Sequence, residues 1–176
     1  MADAGELVIR PFGVGDSIAM LTELLHRAYA SLGAMGLNFT AVDQPEAVTQ
    51  RRVERGSCFV AVVGDALLGT VTVYPPGRVL VCDWYRRAGT AVFGQIAVLP
   101  DRQHDGIGGR LLDRAEQHAR GLGASDLACD TAEPAVDLIE WYSRHGYRAV
   151  DHVQWEGKTY RSVVLSKPLG NRVREP

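Results

Sequence analysis

The stretch QIAVLPDRQHDGIGG, residues 95–109, constrains this chain more than any other. An apolar run closed by Pro100 meets a polar turn, and then a glycine-rich loop. After Gly106 the hydrophobic period changes. Ile107, Leu111, Leu112, Ala115, Ala119 and Leu122 mark one face of a helix, which Gly121 and Gly123 stop. Gly106 and Gly108 stand where backbone must approach something closely or adopt positive φ. The helix that follows presents unpaired N–H groups and the positive end of its dipole. Loop and helix together therefore suit an anion such as a pyrophosphate. The same two glycines also serve a plain tight turn. A dinucleotide fingerprint fits poorly, because its third glycine falls on Leu111, and no Gly-Lys-Ser/Thr follows for a Walker A loop.

The rest of the chain alternates strand and helix patterns. Glu6 to Arg10 reads as a strand. Asp16 reads as the N-cap of a helix bearing Ile18, Leu21, Leu24, Leu25, Ala28 and Tyr29 at helical spacing. Residues 31–40 read as a loop, and Asp43 with Pro45 starts a second helix running to Gly56. Cys58 to Val63 and Leu67 to Tyr74 are strands joined at Gly64-Asp65, residues 77–90 are irregular, and Thr90 to Leu99 is another strand. Asp126 to Asp130 is a strand, Pro134 opens a helix reaching His145, and Tyr147 to Trp155 and Tyr160 to Lys167 complete the set. The sum is a mixed α/β sheet with helices on its faces. A chain of 176 residues with no repeat reads as a single domain over 1–169 with a short polar tail at 170–176.

A formal net charge of −2 offers no case for nucleic acid or an anionic membrane as partner. Cys58, Cys82 and Cys129 are isolated, with no Cys/His cluster at zinc spacing, so no metal is expected and each reads as a buried or half-buried thiol. The N-terminus lacks the pattern of a signal peptide, and no apolar run reaches membrane-spanning length, so the chain reads as cytoplasmic.

The glycine loop resembles motif A of the GNAT superfamily, Gln/Arg-x-x-Gly-x-Gly/Ala, through Gln103, Gly106 and Gly108. The preceding Ala97-Val98-x-Pro100 is similar to that family, and Trp141-Tyr142-x-x-x-Gly146-Tyr147 looks like its motif B. The element order matches from Glu6 to about Lys167. The resemblance implies a GNAT-type mixed, mostly antiparallel sheet of about seven strands with a splayed central parallel pair and about four flanking helices. It implies an N-acetyltransferase that moves an acetyl group from acetyl-CoA to a primary amine, in a small molecule or a peptide, by direct attack in a ternary complex. The alternative it leaves is a catalytically silent acyl-CoA-binding sensor domain. Homodimers are common in such folds, though the motif does not encode one.

Residue by residue, the resemblance implies that the backbone of Gln103, His104, Asp105, Gly106, Ile107, Gly108 and Gly109 holds the CoA pyrophosphate, with the Asp105 side chain pointing away. Ile96, Ala97 and Val98 would pair with the pantetheine arm as an added strand, and the Val98 N–H would face the thioester oxyanion. Tyr142 aligns with the family's general acid. A phenol near pKa 10 protonates a thiolate near 8.5 only uphill, so hydrogen bonding to sulfur is its main expected role. Two family features are missing: Ala135 stands where an asparagine often bonds pantetheine, and the strand before motif A carries no carboxylate. Asp83 and His26 are the speculative bases, with a water chain as the alternative. Residues 31–40 and 77–90, including Met35, Phe39, Trp84, Tyr85, Arg86 and Arg87, are expected around the acceptor. Arg51, Arg52 and Arg55 read as a solvated helix face.

Overall fold

The computed structural model describes residues 6–170. The tail expected at 170–176 lies, beyond Gly170, outside the described residues. β1 (Leu7–Pro11) leads to α1 (Ile18–Ala34), a 3-10 turn (Thr40–Val42), α2 (Glu46–Arg55), β2 (Ser57–Val63) and β3 (Ala66–Tyr74). Then come α3 (Asp83–Arg86), β4 (Thr90–Val98), α4 (Ile107–Gly121), β5 (Asp126–Ala132), α5 (Val136–Arg144), β6 (Arg148–Val153) and β7 (Ser162–Pro168). The expected order holds. The additions are the single turn of α3, inside a stretch read as irregular, and two 3-10 turns, at Thr40–Val42 and at Pro100–Arg102. α1 also runs four residues past Ala30 into the stretch read as loop.

The strands form one sheet in the order β1-β2-β3-β4-β5-β7-β6. Every neighbouring pair is antiparallel except β4 and β5. That parallel pair is joined only at its start, through Thr90–Asp126, Ala91–Leu127 and Val92–Ala128. Beyond Val92 the two strands part and leave a wedge in the middle of the sheet. β4 also bulges. Thr72 faces Gly94 and Thr70 faces Ala97, so one extra β4 residue is accommodated, and Gln95 adopts φ 53°. A bulge bends its strand and strengthens its twist, which helps swing the end of β4 away from β5.

Packing fixes the helices around this opening. Ile107, Leu111, Leu112, Ala115 and Ala119 of α4 are almost fully buried in the main core. Burying each of the three large ones contributes about 1.5–3 kcal/mol, more than the roughly 1 kcal/mol of a typical N-cap. α4 therefore holds its place without a side-chain cap, and it has none. A smaller cluster around Cys82, Tyr85, Val92 and Ala128 roots the loop before β4. Asp16 does not cap α1. Ser17 does, while Asp16 forms a two-pronged ion pair with Arg10 at 2.7 Å and accepts the Gly13 N–H. No helix among the described residues is long and apolar enough to cross a membrane.

Candidate active site

A cavity of about 1230 Å³ runs from the glycine loop through the wedge between β4 and β5 to the far side of the sheet. At its first end lies the start of α4. Gly106 is the N-cap at φ 76°, and His104, a non-glycine residue, also carries positive φ at 72°. The left-handed region costs a side-chain-bearing residue about 1–2 kcal/mol. Such strain gathers at ligand clamps. Among the described residues the backbone N–H groups from His104 to Gly109 donate no hydrogen bond. A helix N-terminus with free N–H groups and no carboxylate cap is an anion site. The Asp105 carboxylate turns to the Arg102 Nε at 2.9 Å and stays off the cavity wall, while Arg102 lines it.

Gly108 serves a different need. A methyl placed on it would come within 3.2 Å of the Trp141 ring, so α4 and α5 close on each other there. His145 packs on Trp141 at 4.4 Å and lines the cavity. Ile107 contributes backbone only, since its side chain belongs to the core.

Along β4 the amides alternate. The Leu99 N–H donates to the Leu68 carbonyl across β3. Alternation therefore points the N–H and C=O of Ile96 and Val98 the other way, into the wedge. Two side chains already reach those carbonyls: the Tyr29 hydroxyl donates to Ile96 at 3.1 Å, and the Gln103 amide to Val98 at 3.4 Å. Ala97, expected with its neighbours, turns its amide toward β3.

Tyr142 lies on the wall where α5 meets the wedge, packed against Phe93, Trp141 and Tyr147. Burial holds its phenol well above the usual value, so it keeps its proton. Burial also pushes the Cys129 thiol well up. Ala135 is buried at the start of α5, and its side chain offers no cap.

The two speculative bases are not at the cavity. The Asp83 side chain is 95% exposed and pairs with Arg86 at 2.6 Å. The His26 Nε2–H donates to the Gln44 carbonyl at 2.9 Å, in a separate small pocket. His26 supports structure there. The Gln44 side chain donates to Thr49 at 2.7 Å and accepts from Gln95 at 3.1 Å, which steadies the β4 bulge.

Of the aromatics expected around the acceptor, Phe39 and Tyr85 line the cavity. Met35 is exposed and Trp84 lies under Arg87, neither on the cavity wall. Sequence reading overlooked Asp130, at the end of β5. Its carboxylate faces the cavity and accepts from the Tyr85 hydroxyl at 2.9 Å and the Trp155 Nε1–H at 2.8 Å. The available signal was its place at the carboxyl end of a parallel strand, where open α/β sheets bind ligands. Arg52 was misread as solvated. It lines the cavity, as do Arg55, Arg78 and Lys158.

The model of a family described as Acetyltransferase (GNAT) family matches residues 19–147. The chain is 28% identical over 154 residues to the S-(2-succino)cysteine N-acetyltransferase of Bacillus subtilis strain 168, covering 85% of this chain and 88% of that protein. The fold is shared with a GNAT family acetyltransferase from Elizabethkingia anophelis solved with acetyl-CoA bound, at a TM-score of 0.66 and 19% identity over 92% of this chain and 97% of that one. It is also shared with the ribosomal-protein-S18-alanine N-acetyltransferase of Escherichia coli, at a TM-score of 0.71 and 15% identity over 97% and 99% of the two chains.

Proposed function

From the premise that this chain belongs to the GNAT family of acetyltransferases, we propose that it transfers an acetyl group from acetyl-CoA to a primary amine by direct attack in a ternary complex. The observation that carries this reading is the continuous cavity joining the unpaired N–H groups of residues 104–109 to the wedge and Tyr142. The pyrophosphate of acetyl-CoA rests on those N–H groups, helped by the Arg102 charge. The pantetheine arm runs along Ile96 and Val98 as an added strand. The thioester carbonyl then lies at the Val98 N–H, which stabilises the oxyanion as attack proceeds.

The neutral amine nitrogen attacks the thioester carbonyl carbon. A C–N bond forms, the C–S bond breaks, and the nitrogen gives up a proton to water in the cavity. The departing sulfur takes the electron pair of the C–S bond, accepts a proton from the cavity water and ends as the CoA thiol. The raised phenol of Tyr142 makes outright proton loss to a thiolate unfavourable, so Tyr142 acts by hydrogen-bonding the developing charge on sulfur.

Release of free thiol from acetyl-CoA, measured over a panel of amines, tests the reading. Tyr142→Phe is expected to lower kcat by about 100-fold while leaving acetyl-CoA affinity within about twofold. Equal losses in both quantities would assign Tyr142 a packing role instead.

A further inference from the structure

The cavity wall carries an arginine with no charged partner among the described residues. Arg52 is half-buried, and among the described residues its guanidinium makes no ion pair and no hydrogen bond. Other arginines do find partners, among them Arg10, Arg86, Arg102, Arg120 and Arg161. Five N–H donors left idle in a partly dry wall are costly unless a ligand takes them. Lys158 sits beside it. Its Nζ donates to the Asn38 carbonyl at 2.6 Å and to Thr40 Oγ1 at 3.0 Å, which leaves one N–H over. Burial lowers its pKa, the Arg52 charge lowers it further, and both cations line the same cavity. Asp43 opposes that shift only weakly, and Glu156, exposed on the cavity rim, pairs with neither.

Across the same space stands Asp130. Both its oxygens accept from neutral donors, Tyr85 and Trp155, so its negative charge is held in place and left uncompensated. The Tyr29 hydroxyl, bound to the Ile96 carbonyl of β4, lines the same cavity as Arg52 and Asp130. An anion held by neutral donors and two cations therefore line the same cavity as the stretch of β4 assigned to transfer.

We infer that the acceptor is a zwitterion, a free amino acid whose ammonium is received by Asp130 and whose carboxylate is received by Arg52 and Lys158. This rests on the acetyl-transfer reading and adds the substrate class. The cations supply a charge-assisted, two-pronged site for a planar carboxylate. Asp130 draws in the protonated amine, which then loses its proton to water beside the thioester. A peptide N-terminus or a decarboxylated amine leaves Arg52 and Lys158 unpaired and is a poor acceptor. A site built to pair a charged group discriminates strongly against an analogue that lacks it.

Thiol release from acetyl-CoA is measured for matched sets: phenylalanine, its methyl ester and phenethylamine, and likewise aspartate, its dimethyl ester and β-alanine methyl ester. The wild type is expected to use the free acids with kcat/KM at least about 10-fold above their counterparts without a free carboxylate. Arg52→Gln and Lys158→Gln should each raise KM for the acids with little effect on the esters. Arg52→Glu should turn the preference over toward ester and amine, a reversal that misfolding cannot mimic. The thermal shift given by acetyl-CoA should persist in all three variants. Esters or simple amines used as well as the acids, no turnover of any carboxylated acceptor, or a preference that survives Arg52→Glu would overturn the inference. If acetyl-CoA itself produced no shift in the wild type, the acetyl-transfer reading would fall with it. A shift without the carboxylate preference sinks the zwitterion alone.

Discussion

Gly106 carries φ 76° with nothing within 4 Å of where a methyl would sit, whereas Gly108 has ordinary helical backbone and a tryptophan ring 3.2 Å from that point. The sequence calls for close approach or positive φ at these two positions, and each residue meets one of the demands. Gly108→Leu is expected to push Trp141 aside and disturb the N–H groups beside it, so thermal unfolding of this variant should show no stabilisation by acetyl-CoA. A retained shift would separate residue 108 from the donor site. Residue chemistry was less legible elsewhere. Asp130, Arg52 and Lys158 come from β5, α2 and the β6–β7 turn, so no local spacing links them. Asp83 lies in the 77–90 stretch expected around the acceptor, yet its side chain is exposed and paired with Arg86, off the cavity wall.

Among the elements, β4 does the most to create the site, and its bulge depends on a buried chain of polar groups. Thr49 and Thr22 share a hydroxyl hydrogen bond at 2.7 Å, Gln44 donates to Thr49, and Gln95 donates to Gln44. Gln44→Met leaves the Gln95 amide without its acceptor in a buried place. The expected cost is about 1–3 kcal/mol, read as a lower urea midpoint with unchanged slope. The joint between β1 and α1 offers a second measurable case. The Arg10 guanidinium, and after it the Gly13 N–H, hold the Asp16 carboxyl below the usual carboxylate range. A depressed folded pKa contributes stability that is complete above about pH 4 and lost as pH falls through the lowered folded value. Asp16→Asn should therefore cost about 1 kcal/mol at pH 7, discounted for the exposure of Arg10, and the difference should shrink in acid. Sequence pattern put Asp16 at the N-cap because it precedes the apolar period. Only the fold brings Arg10 close enough to claim the carboxylate and leave capping to Ser17.

Over the whole molecule, the element order was legible because β-branched runs, glycine stops and the glycine loop are local signals, whereas the parallel pair was implied only by the resemblance. The wedge was expected from resemblance alone. In the structure it follows from a ladder that ends at Val92–Ala128 and from the bulge at Gln95, neither of which hydrophobic pattern encodes. The two antiparallel halves, β1 to β4 and β5 to β6, meet only at that short seam, and a cavity of about 1230 Å³ occupies the space where the sheet would otherwise close. The account's central claim is that this space receives acetyl-CoA. Thermal unfolding with and without acetyl-CoA, with free CoA and ATP in parallel, tests it most directly. At about 100 times its dissociation constant the donor adds about 2.7 kcal/mol, or roughly 5–10 °C for a chain of this length. The account predicts that rise with acetyl-CoA and CoA and a negligible one with ATP. An unchanged melting temperature with both CoA species would contradict it.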